Sequence, residues 1–157
     1  MLFKKNKYRR VYLPKESKLT PFHFKSVSTD ESISKGIVDL AYKDLEYKDI
    51  FPWHLFIKAE TKELDEFEFP NESFQEKVKQ YNDRLDSLFN SKNEKPTALF
   101  IATQFQKGES YILWQIHEPD SINAILQNEI DHKSFIFNFE YRMENDPKWE
   151  AVSDLLS

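Results

Sequence analysis

The chain has 157 residues, 39% of them hydrophobic and 31% charged, with a formal net charge of −5. That length fits one domain with a substantial core, and fourteen Phe, seven Tyr and three Trp exclude disorder over most of it. The absence of Cys excludes disulfides, thiolate zinc sites, iron–sulfur clusters and a thiol nucleophile, and the two glycines, Gly36 and Gly108, cannot build a glycine-rich phosphate loop.

Residues 1–21 read as a basic, loosely ordered N-terminal segment, with Pro14 and Pro21 as punctuation. Lys4, Lys5, Lys7, Arg9, Arg10, Lys15 and Lys18 stand against Glu16 alone, a net of +6, so the rest of the chain carries −11. A basic arm of this kind can meet nucleic acid or an anionic membrane. The simpler reading is a solvated terminus. The acidic remainder repels a phosphate backbone, so nucleic acid is not an expected partner. No apolar stretch of signal-peptide or membrane-spanning length is present, which makes the cytoplasm the expected compartment.

Residues 22–157 read as a single α+β domain. Phe22 and Phe24 alternate with His23 and Lys25, a short strand candidate. Gly36 opens a second candidate, Ile37 to Tyr42. Trp53 to Glu60 is a third, with Trp53, Leu55, Ile57 and Ala59 on one face and His54, Phe56, Lys58 and Glu60 on the other. A helix is predicted from Glu72 to Phe89, capped by Asn71, with Phe74, Val78, Tyr81, Leu85, Leu88 and Phe89 forming one apolar stripe. Asn90 to Pro96 is a polar loop. Thr97 to Phe105 is apolar on both faces, as in a central strand. A turn through Gly108 leads into a return strand, Ser110 to His117.

Pro119 marks a second helix start, with Ile122, Ile125, Leu126 and Ile130 on one face. Ser134 to Arg142 reads as a strand with Phe135, Phe137, Phe139 and Tyr141 pointing one way. Asp146 then caps a last short helix with Pro147 at its first position and Trp149, Val152, Leu155 and Leu156 as anchors. From Trp53 to Arg142 the order is strand, helix, strand, strand, helix, strand. That is a ferredoxin-like split βαβ core, an antiparallel sheet with two helices on one face. The two earlier strands extend that sheet or cover its other face.

Residues 138–156 end in Asp146-Pro147-Lys148-Trp149-Glu150 and a Leu-rich stop, and they resemble the C-terminal signature of the bacterial family called domain of unknown function 695. The strand from Trp53 to Ala59, the acidic loop before a helix and the aromatic return strand are also similar to that family. The chain departs from it at Val152, where an aromatic is common, and lacks an aromatic-Pro ending. The resemblance implies a single α+β domain and hints at protein–protein regulation. It implies no activity and no catalytic residue.

Four constellations carry candidate chemistry. His54 and His117 lie in strands that can neighbour each other, yet no helix-spaced metal motif accompanies them, and partly exposed sheet histidines are the simpler account. Asp131-His132 with Ser134 lacks the geometry of a nucleophile triad and reads as a polar turn. Phe56 and Trp114 can occupy the sheet face opposite the helices, where RNA-recognition domains stack bases, but the return strand lacks the Gly and basic residues of that motif, and burial under the N-terminal strands is the simpler account. The acidic connection is the preferred site. Glu63, Asp65, Glu66 and Glu68 are interleaved with Phe67 and Phe69, and only Lys62 opposes the acids between Glu60 and Glu76. A solvated loop is the bland reading. The functional one is a docking surface on which carboxylates steer a basic protein and the two Phe anchor it.

The expectation is therefore a non-enzymatic protein-binding or regulatory module, with no cofactor, no metal and no catalytic residue. An immunity protein neutralising a basic toxin such as a nuclease is the alternative within binding. A metal-assisted hydrolase using His54, His117 and a carboxylate is the alternative from another class.

Overall fold

The computed structural model of the chain describes residues 13–25, 32–90 and 95–157. Lys4, Lys5, Lys7, Arg9 and Arg10, the Ser26–Val27 end of the first strand candidate, and residues 91–94 of the polar loop lie outside the described residues. Among the described residues the fold is α+β, a six-strand antiparallel sheet with three helices. The strands are β1 (Leu19–Lys25), β2 (Ser32–Asp39), β3 (Trp53–Glu60), β4 (Ala98–Gln106), β5 (Glu109–Ile116) and β6 (Glu140–Asn145). The helices are α1 (Glu72–Asn90), α2 (Pro119–Asp131) and α3 (Ser153–Leu156). The strand order is β1-β2-β4-β5-β3-β6. The sheet thus has two strands more than the four expected of the core, and both N-terminal strands extend it past β4.

The apolar stripe of α1 buries Phe74, Val78, Tyr81, Leu85 and Phe89, as its 3.6-residue spacing requires. They pack with Ile122 and Leu126 of α2 onto Leu55, Ile57, Trp114 and Ile116, so both helices lie on one sheet face. Trp114 is fully buried at the centre, edge-on to Phe89 at 5.1 Å and Phe100 at 5.7 Å between ring centroids. Between the helices, the carboxylate of buried Glu129 accepts from the Tyr81 hydroxyl at 3.0 Å and from the Arg84 guanidinium at 2.7 and 2.9 Å. The Arg84 pairing holds the Glu129 carboxyl below the usual carboxylate range, and burial pushes the Tyr81 hydroxyl up.

The opposite face is closed by short elements. Val38, Leu99, Ile101 and Leu113 meet Ile50, Phe51, Trp149, Val152, Leu155 and Leu156. Trp149 is the latch, its indole Nε1–H donating to the carbonyls of Phe51 at 2.9 Å and Lys48 at 3.0 Å.

Three expected boundaries move, each for a physical reason. The expected strand Ile37 to Tyr42 is instead β2, ending at Asp39, whose buried carboxylate accepts from Lys18 N at 2.8 Å and Ala41 N at 3.0 Å and turns residues Leu40–Tyr42 into a 3-10 helix. The expected strand Ser134 to Arg142 becomes β6, paired with β3 from Lys58↔Glu140 to Trp53↔Asn145. Phe137 and Phe139 precede it and pack on α1 instead, 5.4 Å from Phe74 and 5.6 Å from Tyr81. Asp146 does cap the C-terminal turn, accepting from Glu150 N at 2.9 Å and Ala151 N at 3.1 Å, but Pro147 lies in a turn ahead of it. Trp149 adopts a left-handed φ of 59°, and the 3-10 residues Glu150–Val152 lead into α3.

The sheet edges differ from its interior. β1 carries Pro21, which has no N–H to give a neighbouring strand, and β6 carries Glu140, Arg142 and Glu144. Gly36 joins the β1–β2 hairpin to the rest. Its backbone runs so close to β4 that a Cβ would stand 1.9 Å from the Thr103 carbonyl oxygen. Gly36→Ala is expected to cost about 1–3 kcal/mol, the usual penalty of forcing extra volume into a packed site. Urea unfolding reads the loss, and hydrogen exchange is expected to show it first in β1 and β2.

Candidate functional site

The connection between β3 and α1 is a built loop. The Asp65 carboxylate accepts from the backbone N–H of Phe67 at 2.8 Å and of Phe69 at 3.1 Å. Asp65 N donates to the Phe69 carbonyl at 2.7 Å, closing the ring, and Leu64 bridges to Pro70. Glu68 takes a left-handed φ of 69°, and its carbonyl accepts from Gly108 N at 2.9 Å, tying the loop to the β4–β5 turn. Asn71 then caps α1, its side-chain oxygen accepting from Phe74 N at 3.0 Å.

This geometry assigns different jobs to the six residues expected to form a docking surface. Glu63 pairs with Lys77 at 2.9 Å. Asp65 folds the loop and faces Lys35 at 4.0 Å. Glu68 lies 3.5 Å from Lys107. Phe69 is not an exposed anchor. It is buried in the helix-side core, with the Lys35 ammonium 4.9 Å from its ring centroid, because the sequence Phe69-Pro70 must seal the entry to α1. Glu66 makes no ion pair among the described residues, and Phe67 stands 66% exposed beside it. The tip is therefore one aromatic ring flanked by two carboxylates.

The other candidates separate. His54 is buried on β3, its Nδ1–H donating to Gln115 Oε1 at 2.6 Å while the Gln115 amide donates to the Phe51 carbonyl at 3.4 Å. His117 turns its Nδ1–H to the Ile50 carbonyl at 2.7 Å. Among the described residues no group of three or more His, Asp or Glu is placed to hold a metal ion. Asp131 and His132 are exposed at the end of α2, where the imidazole bonds the Asn128 carbonyl at 3.0 Å. Phe56 does face away from the helices, 5.0 Å from Tyr111 and 4.9 Å from the Arg142 guanidinium. Trp114 does not share that face. It pairs with Leu55, not Phe56, across β3–β5, so the two-residue alternation carries it under the helices.

Sequence reading missed a groove. The β1–β2 hairpin extends the sheet beyond the cover of α1, and the step between them encloses about 980 Å³. Its floor includes Leu19, Ile37 and Phe100, and its helical wall carries Glu72, Glu76, Asp83 and Asp86 together with Lys79. Glu72, Glu76, Lys79, Asp83 and Asp86 share one stripe at helical spacing, but nothing in the sequence says that a hairpin stands opposite them. Near the hairpin end, burial together with the charges of Asp39 and Asp86 pushes the Tyr42 hydroxyl up to about 12.

No protein-family model, curated protein or solved structure matches the chain. Among the described residues no helix is long and apolar enough to cross a membrane.

Burial is the main cause that lowers the His54 pKa, outweighing the Gln115 bond and the nearby Asp146 and Glu144 carboxylates, while Arg142 lowers it further. The unfolded chain therefore binds a proton at higher pH than the folded chain does. The stability that His54 lends is full above about pH 6.5 and is lost as pH falls through the depressed folded value. Thermal unfolding between pH 7.5 and 5 is expected to show a falling midpoint, and His54→Gln is expected to flatten that slope.

Proposed function

We propose that the protein is a non-enzymatic binding module of the cytoplasm that docks a basic protein on the tip Glu66-Phe67-Glu68. One observation carries this reading: an exposed aromatic ring held between carboxylates on a loop whose shape is fixed by its own hydrogen bonds. Preorganisation removes the ordering cost of binding, the carboxylates raise the encounter rate with a basic surface, and the ring supplies buried area at the centre of the contact. The reading includes a ferredoxin-like split βαβ core for β3 to β6, supported by the order β4-β5-β3-β6 and by both helices packing on one face. It also includes the likeness of residues 138–156 to the domain of unknown function 695 family, which brings no activity with it.

A photo-crosslinking amino acid at position 67, expressed in the native cell, is expected to give one discrete adduct. That adduct is expected to disappear when Glu66→Lys and Glu68→Lys are combined. The same crosslinker at position 120, beyond the other end of β5, gives none. Phe67→Ala is expected to weaken the isolated complex by about 2 kcal/mol, some thirtyfold in affinity. An adduct of equal yield in the charge-reversed chain overturns the reading.

A further inference from the structure

We propose that the groove between α1 and the β1–β2 hairpin is a second binding site, and that it takes an extended basic peptide segment in which Lys or Arg alternates with apolar side chains. The inference keeps the protein-binding reading for the class of partner but rests on different residues.

Three features fix the occupant. The floor is apolar and wet, with Leu19 56% and Ile37 43% exposed. Lone exposed apolar residues need no explanation, but these lie together at the base of a half-open step. The helical wall is net acidic, Glu72, Glu76, Asp83 and Asp86 against Lys79, and Lys15 and Glu16 ahead of β1 offset each other. Among the described residues, exposed Glu72, Glu76 and Asp83 make no ion pair, and Asp86 accepts only from Asn90, at 2.9 Å. From Glu72 to Asp86 the helix rises about 21 Å at ~1.5 Å per residue. That is the length of an extended segment of about six residues.

An extended chain sends successive side chains to opposite sides. One set can lie on Leu19 and Ile37 while the other reaches the carboxylates. A linear polyamine would satisfy the wall and leave the floor wet. An acidic or neutral segment would gain nothing from the wall.

The probe is a dye-labelled, end-blocked seven-residue peptide with Lys and Leu alternating, titrated into the full chain and followed by fluorescence anisotropy. Saturable binding is expected, weakened by salt. Glu76→Lys with Asp83→Lys, on an exposed helix flank, is expected to weaken it at least tenfold without moving the thermal midpoint. The loop variant Glu66→Lys with Glu68→Lys and the charge-matched control Asp120→Lys with Asp131→Lys are expected to bind within twofold of wild type. Equal binding of a Lys–Ser peptide, or displacement by spermine at comparable concentration, overturns the proposal, because charge alone would then suffice. Unchanged binding in the groove variant, or an equal loss in the control, also overturns it. Loss in the loop variant alone moves the peptide to the tip, which ends the groove proposal and leaves the docking reading standing.

Discussion

The missing side chain at Gly36 is the constraint on which the molecule's outer architecture depends. β2 meets β4 over a four-residue register, Lys35↔Phe105 to Val38↔Ala102, and Gly36 lies inside it. The Thr103 carbonyl occupies the space where any other residue would put its Cβ. Because β1 pairs with β2, this one contact sets the position of the whole hairpin. The hairpin in turn makes the step beside α1. Val38 of β2 also joins the core on the face away from the long helices, so the attachment both completes that face and creates the groove.

The two faces of the sheet solve the burial problem differently. On one side, two long helices supply a regular stripe of large side chains around Trp114. On the other, three- and four-residue turns of helix are too short to hold themselves by backbone hydrogen bonds and depend on packing. Trp149 supplies it, with a fully buried ring and an indole N–H that ties the C-terminal turn to the segment before β3. The left-handed backbone at Trp149 carries strain that a residue of that size rarely accepts, and the two carbonyl bonds hold it there.

Much of this was legible in the residues. Phe74, Val78, Tyr81, Leu85 and Phe89 recur at helical spacing and are all buried on α1. Trp53 to Glu60 alternates in the sequence as it does in β3, and Gly108 marks the β4–β5 turn with a φ of 70°. What failed did so where a tertiary contact overrides a local pattern. Phe135, Phe137 and Phe139 alternate like a strand, but Phe137 and Phe139 pack on Phe74 and Tyr81 of α1 and Phe135 on Phe139. The face of Trp114 cannot be read from β5, which is apolar on both sides, so its period carries no direction until β3 is placed beside it. At the tip, composition revealed the acids and the rings but could not separate Phe67 from Phe69. That distinction is made by Asp65, whose hydrogen bonds turn one ring outward and the other in. The groove was invisible for the simplest reason: its two walls lie far apart in the chain.

An open sheet with two free edges is a template for its own kind, since each unpaired strand can recruit the same strand from another molecule. Pro21 interrupts one edge and the alternating charges of Glu140, Arg142 and Glu144 guard the other. In a chain so rich in Phe and Tyr, both features work against edge-to-edge growth into ribbons at high concentration.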